Sequence, residues 1–327
     1  MFEKDATDVG RDLRLLKRRV DAPRRPLLAA SDLAILLWLL AGLPLSLLPC
    51  RVRWSFCQAL ARLAFLGRRA AAARRALGCM ANVEAGAARR IIRTVYAGRL
   101  ASQLDLLRGL IAGPELDLEC RGLEHLESAL VQGRGAVLWI SDFVGAGEAV
   151  KVALARAGHR ASHLSRPEHG FSKTRFGIRF LNPVRIRFER AYLKERVVYD
   201  RSQPRQALSR LAARLADNGV VSITASAHEG RQLAEGRLLA GRLRLAIGAP
   251  KVALRNSAPL IPVHAVRDPT DPCRFEIILD PPLPLSRDLP EADAILAATG
   301  AYLDGLEKQL RHRPEAWGGW RRLGALA

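Results

Sequence analysis

The chain has 327 residues, of which 49% are hydrophobic, so it can bury a sizeable core, and this composition excludes an intrinsically disordered protein. Its net charge of +20 predicts an anionic partner or surface, such as nucleic acid, an acidic membrane leaflet or a phosphorylated substrate. The five cysteines include no Cys-x-x-Cys pair, which predicts scattered, reduced thiols and neither a zinc site nor a disulfide framework.

Residues 1–112 are rich in alanine, leucine and arginine, which predicts a helical N-terminal region. Within it, residues 27–49 form an apolar segment that Gly42, Pro44 and Pro49 interrupt. Its uninterrupted part is short for a bilayer crossing, which takes about 20 residues, so we expect a monotopic membrane anchor. The arginines on both sides of the segment are residues that an anionic membrane leaflet attracts. A buried helical hairpin in a soluble protein is the alternative.

Between residues 113 and 327, strand-like and helix-like segments alternate, which predicts an α/β domain with a mixed β-sheet and helices on both of its faces. Residues 136–140 are continuously apolar, as expected of a strand that is covered on both faces. Further strands are predicted at 220–224, 259–267 and 274–280, a loop at 226–236 and a closing helix at 291–311.

The strand at 136–140 runs directly into a polar turn that is followed by a helix. Ligands of α/β proteins bind at the carboxyl ends of the strands, so polar groups in this turn are candidates for a functional site. The candidates are Ser141, Asp142, Gly145 and Glu148. We expect the turn to face a cleft.

Five segments in the second part of the chain carry a resemblance to a known family. In chain order they are GLEHLESALVQGRGAVLWIS, LSRPEHG, DNGVVSI, GRLRLAIGAPKVALRNSAPLIPVHAVRD and YLDGLEKQLRHRPEAWGGWRR. Their order and spacing, with the proline-broken apolar segment near the N-terminus, resemble the lysophospholipid acyltransferase superfamily. Within it, they resemble the branch of bacterial lipid A late (lauroyl/myristoyl) acyltransferases.

This resemblance implies the transfer of a fatty acyl chain from an acyl carrier protein or coenzyme A thioester to a hydroxyl of a lipid, without a metal or other cofactor. It also implies a location on the cytoplasmic face of the inner membrane, where anionic membrane lipids attract positive charge. Nucleic acid is not the expected partner, because the chain has neither zinc-ligand spacing nor an aromatic-rich RNA-binding pattern.

The family's catalytic motif is His-x4-Asp/Glu, in which the histidine takes the proton of the acceptor hydroxyl and the carboxylate orients the imidazole. Here Phe143 occupies the base position if Glu148 is aligned with the acidic residue, and a one-residue shift places Asp142 there. Phenylalanine cannot accept a proton. The first interpretation is therefore that Asp142 is the base and that Glu148 is its partner.

Two other interpretations stay open. A histidine from elsewhere could supply the base: His228, next to Glu229, follows a predicted strand, and His163 has Glu168 at the spacing of the motif. Alternatively, acyl transfer has been lost, and the chain binds lipid or acyl carrier protein without reacting.

Other residues are candidate substrate-binding groups by the same resemblance. Arg166 stands where the family has a basic residue for the acceptor's phosphate, which a guanidinium binds through two hydrogen bonds. Gly241 and Arg242 match a glycine-containing loop that closes the acyl pocket, and Glu229 lies in the loop before them. The basic run between residues 173 and 201 is either a solvated face or a docking surface for an anionic headgroup or carrier protein.

Overall fold

The computed structural model describes residues 12–18, 25–64, 67–200, 202–226 and 230–325. The strands are β1 (Arg14–Lys17), β2 (Asp117–Arg121), β3 (Ala136–Ser141), β4 (Ser162–Ser165), β5 (Glu195–Val198), β6 (Val220–Ala225), β7 (Gln232–Leu238), β8 (Gly241–Ala246), β9 (Leu260–Arg267), β10 (Arg274–Leu279) and β11 (Gly324–Ala325). The helices are α1 (Ala30–Ser46), α2 (Cys50–Ala64), α3 (Arg68–Ala81), α4 (Ala85–Ile111), α5 (Leu123–Val131), α6 (Ala146–Arg156), α7 (Asn182–Tyr192), α8 (Pro204–Ala216), α9 (Gly248–Asn256) and α10 (Glu291–His312). Shorter helical turns lie at Gly177–Leu181, Pro314–Ala316 and Trp320–Arg322.

Seven strands form a mostly parallel sheet in the order β2-β10-β9-β3-β6-β4-β5. The strands β9, β3, β6, β4 and β5 are parallel, β10 is antiparallel to β9, and β2 is parallel to β10. Because helices connect and flank these strands, the predicted α/β fold is confirmed. The strands predicted at 220–224, 259–267 and 274–280 and the closing helix correspond to β6, β9, β10 and α10.

The centre of this sheet is β3, all six residues of which are buried. It pairs in parallel with β6 on one side and β9 on the other, so that Ile140 lies opposite Thr224 and Val263. Burying a large apolar side chain stabilises a fold by about 1.5 to 3 kcal/mol, which explains why the sequence here is continuously apolar.

A second, antiparallel sheet has the order β1-β7-β8-β11. Its strand β7 occupies part of the predicted loop at 226–236, so that prediction was wrong from Gln232 onward. The apolar pattern of β7 is interrupted by Glu235, which is 2% exposed and lies 2.5 Å from both Arg14 of β1 and Arg244 of β8. Arginines from two neighbouring strands therefore compensate the buried charge. The strand β1 also differs from the predicted helical character of residues 1–112.

The helices α1, α2 and α3 pack on α4, and buried charges fix α1 and α2 to the protein body. Asp32 of α1 is fully buried and accepts hydrogen bonds from Ser172 Oγ at 2.5 Å and Thr174 Oγ1 at 2.7 Å. Arg53 of α2 is also buried and pairs with Asp105 of α4 at 3.0 Å. Among the described residues, no helix combines the length and the apolar character that crossing a bilayer requires.

Cys50, at the start of α2, and Cys273, directly before β10, form a disulfide. The prediction of scattered, reduced thiols is therefore wrong for this pair. The two residues are 223 positions apart in the chain, a separation that leaves no pattern in the sequence. Three other cysteines are unpaired: Cys57, Cys79 and Cys120.

Candidate active site

The polar turn that follows β3 forms one wall of a cavity. Gly145, the residue before α6, has a φ of +81°, and a Cβ atom there would lie only 2.6 Å from Ser102 Oγ of α4 and 2.9 Å from Phe275 Cζ of β10. Only glycine combines that backbone conformation with so close an approach of neighbouring elements. The turn is thereby pressed against α4, and α6 begins directly beside the cavity.

The cavity has a volume of about 390 Å³ and lies between the turn, α1, α4, α7 and the C-terminal helical turn at Trp320–Arg322. Its apolar lining includes Ile35 of α1, Leu106 of α4 and Phe171. Of the residues that the structure describes, five charged ones line it: Arg99, Asp142, Glu148, Arg185 and Arg322. A cavity with both characters suits a molecule that has an apolar part and an ionic part.

Asp142 points toward the cavity and is ion-paired. Its Oδ2 atom accepts a hydrogen bond from Arg322 Nη2 at 2.7 Å, and its side chain is 42% exposed. The next residue, Phe143, is 4% exposed and forms a backbone bridge with Trp317. Arg322 therefore occupies one oxygen of the Asp142 carboxylate, and the side chain stays accessible from the cavity.

Glu148 belongs to a network of charges between α6 and α7. Its carboxylate is ion-paired with Arg185, whose Nε atom is 3.8 Å from Oε1 of Glu189. Glu189 is 1% exposed, and its Oε1 atom accepts hydrogen bonds from Lys151 Nζ at 2.5 Å and His169 Nε2 at 2.8 Å. Burial by itself raises the pKa of Glu189, but the charge of Lys151 and the hydrogen bond from His169 outweigh it and hold the pKa well below its ordinary value.

Ser141 faces the core. Its Oγ atom lies 2.7 Å from His264 Nδ1 and 2.7 Å from the hydroxyl of Tyr302, and His264 Nε2 lies 3.1 Å from Asp280 Oδ2. Serine, histidine and aspartate are the residues of a hydrolytic triad, but here the serine is 1% exposed, so a substrate cannot reach its hydroxyl. The network fastens the carboxyl end of β3 to β9 and α10.

The cavity thus lies at the carboxyl end of the central strand of a mostly parallel sheet, among paired carboxylates and guanidinium groups. The sequence model of the bacterial lipid A biosynthesis acyltransferase family matches residues 24–321. The chain belongs to this family. No curated protein matches the chain. The predicted membership of the lipid A acyltransferase branch is confirmed, and membership supports acyltransferase activity.

The other candidates for this acyltransferase site lie in different places. Arg166 directly follows β4, and its carbonyl oxygen accepts a hydrogen bond from Arg196 Nη2 at 2.5 Å; it is not among the described residues that line the cavity. Gly241 and Arg242 begin β8, in the second sheet, and Arg242 is ion-paired with Asp12. Their predicted roles stay predictions.

The histidines that sequence analysis considered also lie apart from the cavity or outside the described residues. His228 and Glu229 lie outside the described residues. His163 is 4% exposed and hydrogen-bonded to Ser222 Oγ at 2.9 Å, and burial holds the pKa of His163 well below its ordinary value. Glu168, its suggested partner by spacing, is ion-paired with Arg25.

Sequence reasoning missed several groups at the site. Arg185 lies inside the basic run between residues 173 and 201, for which the sequence predicts a solvated face or a docking surface, and Arg322 lies in the last of the five family-like segments. Neither Arg99 nor the pairing of His169 with Glu189 has a signature in the sequence. The sequence thus offers only coarse signals, the basic run for Arg185 and the family-like segment for Arg322.

Proposed function

We propose that this chain transfers a fatty acyl group from an acyl carrier protein or coenzyme A thioester to a hydroxyl of a lipid acceptor. In this reaction the hydroxyl gives its proton to a base, and its oxygen bonds to the thioester carbonyl carbon. The carbon–sulfur bond then breaks, and the departing sulfur takes up the proton. The observation that carries the proposal is the cavity at the end of β3, whose lining is both apolar and charged, in a member of an acyltransferase family.

We infer that Asp142 is the base and that Glu148 is a supporting carboxylate, with His228 as the reserve candidate. Asp142 supports this assignment because it lines the cavity and is 42% exposed, so an acceptor hydroxyl can approach its oxygen atoms. Glu148 also lines the cavity and holds Arg185 in its wall. A substrate that draws Arg322 away from Asp142 would leave that carboxylate open to the hydroxyl.

Transfer to hydroxyls can be tested directly with the purified chain in detergent. Acyl carrier protein or coenzyme A carrying a radiolabelled acyl group is incubated with a membrane lipid extract, and acylated lipid is separated by chromatography. We expect product from the unmodified chain and a loss of at least about 100-fold in Asp142→Asn. Glu127→Gln, on the exposed side of α5, is the matched control and should retain full activity. Product that survives Asp142→Asn, Glu148→Gln and His228→Ala would reject these assignments.

We further propose that the chain lies on the cytoplasmic face of the inner membrane through α1 and α2. Both helices pack on α4 and turn large apolar side chains to solvent, an arrangement that monomeric soluble proteins rarely show. The most exposed leucines in and around α1 are Leu27, Leu28, Leu33, Leu37, Leu40 and Leu47, each more than half exposed.

Vesicle binding tests this orientation. Binding to vesicles of neutral and anionic phospholipid should fall in Leu37→Asn/Leu40→Asn and weaken with rising salt, because the arginines around the anchor contribute an electrostatic part. Leu208→Asn, at an exposed leucine of α8, is the control. Unchanged binding of the double variant would contradict the proposal. Disulfides persist in oxidising compartments, so the Cys50–Cys273 disulfide stands against a cytoplasmic location. Thiol labelling of both cysteines in whole cells would support the cytoplasmic face, and resistance to labelling until a reductant is added would contradict it.

A second candidate function is binding without transfer. It is favoured by Phe143, which takes the base position of the family motif when Glu148 is aligned with the acidic residue, and which is buried against the C-terminal segment. The same labelled donors distinguish the two functions. A protein that only binds would retain labelled donor or lipid in a filter-binding assay but would form no acylated product with any of the donors.

A further inference from the structure

The C-terminal segment Trp317-Gly318-Gly319-Trp320 holds two guanidinium groups against one turn. A Cβ atom at Gly318 would collide with Nη2 of Arg99, and one at Gly319 would collide with the Trp317 ring and lie 2.6 Å from Nη2 of Arg322. The two consecutive glycines therefore let two cationic side chains from distant parts of the chain approach the same backbone. Both side chains line the cavity.

Among the residues that the structure describes, Arg99 forms no salt bridge with a carboxylate, although the charge of Asp142 acts on it. Its Nη2 atom donates a hydrogen bond to the carbonyl oxygen of Gly318 at 2.8 Å, and its guanidinium carbon lies 5.7 Å from the centre of the Tyr96 ring. Desolvation lowers the pKa of Arg99, and the positive charges of Arg321 and Arg322 lower it further, against the opposing charges of Tyr96 and Asp142. Like charges placed side by side attract an anion, and the Arg99 side chain is exposed, so a ligand can reach it.

The remaining charges of the cavity do not supply that anion. Glu148 is ion-paired with Arg185, which also lies 3.8 Å from Glu189, so that arginine is compensated twice. Asp142 is the partner of Arg322. The lining as described therefore contains three guanidinium groups and two carboxylates, an excess of one positive charge.

We propose that Arg99 and Arg322, held together by Gly318 and Gly319, bind a phosphate group of a substrate. A guanidinium binds phosphate through parallel charge-assisted hydrogen bonds, and two guanidinium groups beside one turn can share its oxygens. The proposal rests on the proposed acyl transfer for its choice of ligand. A phosphate bound at Arg322 would take the place of the Asp142 carboxylate. Substrate binding would thereby free Asp142, the candidate base, from its ion pair with Arg322.

Two pairs of probes separate the sources of such a phosphate. The donor side is represented by 4′-phosphopantetheine and by pantetheine, which lacks the phosphate. The acceptor side is represented by phosphatidic acid and diacylglycerol in micelles of a neutral detergent. Dissociation constants are measured on the full chain by titration calorimetry for the unmodified protein, Arg99→Gln, Arg322→Gln and the control Arg321→Gln, whose side chain is an exposed neighbour.

We expect the phosphorylated member of at least one pair to bind the unmodified chain about 10- to 100-fold more tightly than its counterpart. That advantage should fall to less than about threefold in Arg99→Gln and Arg322→Gln and persist in Arg321→Gln. An effect confined to one pair identifies the donor or the acceptor as the source. Thermal unfolding midpoints establish that the variants are folded, and Arg99→Lys, which keeps the charge but loses the paired geometry, should bind at an intermediate level.

Equal binding of phosphorylated and unphosphorylated probes by the unmodified chain, or a phosphate advantage that survives both glutamine variants, would overturn this site. The measurement is independent of turnover. Phosphate-dependent binding without acylated product would uphold the phosphate site and reject the proposed acyl transfer. Product formation without phosphate-dependent binding would uphold the acyl transfer and reject the phosphate site.

Discussion

The buried pair of Lys151 and Glu189 should make the structure sensitive to the loss of one charge. The two side chains are 3% and 1% exposed, with Nζ and Oε1 2.5 Å apart. In Glu189→Gln the ammonium group stays buried without its carboxylate, and breaking a buried pair in this way costs about 3 to 5 kcal/mol. The double variant Lys151→Met/Glu189→Gln buries no unpaired ammonium group, so we expect it to recover most of that loss.

The assay is urea unfolding in detergent at pH 7, followed by tryptophan fluorescence and circular dichroism. The control is Asp271→Asn, which removes a charge from a solvent-exposed pair with Arg51 at 3.7 Å and should cost less than about 1 kcal/mol. If Glu189→Gln is no more destabilising than Asp271→Asn, or if the double variant is less stable than Glu189→Gln, the argument from buried charge is refuted.

The same carboxylate gives a pH dependence of definite sign. The pKa of Glu189 in the folded state lies well below its ordinary value of 4.5, so the unfolded chain binds a proton at a higher pH than the folded chain does. Its stabilising contribution is therefore complete above about pH 4.5 and is lost as the pH falls through the folded-state pKa. The free energies of unfolding of the unmodified chain and of Glu189→Gln should converge as the pH is lowered from 5 toward 3.

Three further substitutions test other parts of the structure. Gly145→Ala combines a φ of +81° with a steric clash and should lower the free energy of unfolding in urea by about 2 to 3 kcal/mol. The control Gly158→Ala, with a φ of +86° and open space around it, should lower it by about 1 kcal/mol. Equal losses in the two variants would contradict the clash at Gly145. Ser141→Ala leaves Nδ1 of His264 without a partner and should lower the unfolding free energy by about 1 to 3 kcal/mol, and an unchanged value would show that the network is dispensable. Burial lowers the pKa of His163, so only the unfolded chain gains a proton below about pH 6.5. Relative to His163→Gln, the unmodified chain should therefore lose stability between pH 7 and pH 5. Parallel curves of unfolding free energy against pH for the two proteins would contradict this.

Local patterns in the sequence determined the main elements of the fold. The continuous apolar run at 136–140 specifies a strand that is covered on both faces, and the structure gives β3 parallel neighbours on both sides. The polar turn after it placed Asp142 and Glu148 at the site, because the carboxyl end of such a strand must open toward a helix. These features were predictable since they depend on residues that are close together in the chain.

The tertiary structure alone decided which side chains meet at the cavity and which do not. Ser141 ends β3 and Asp142 begins the turn after it, and adjacent side chains of an extended backbone point to opposite sides, so the Ser141 hydroxyl enters the core while the Asp142 carboxylate lines the cavity. Asp142 pairs with Arg322, 180 positions further along, and Cys50 pairs with Cys273, 223 positions away. Spacing in a sequence encodes the period of a helix or strand, but contacts between distant segments depend on how whole elements pack, and only the packed chain brings Arg99 and Arg322 to the same glycine turn.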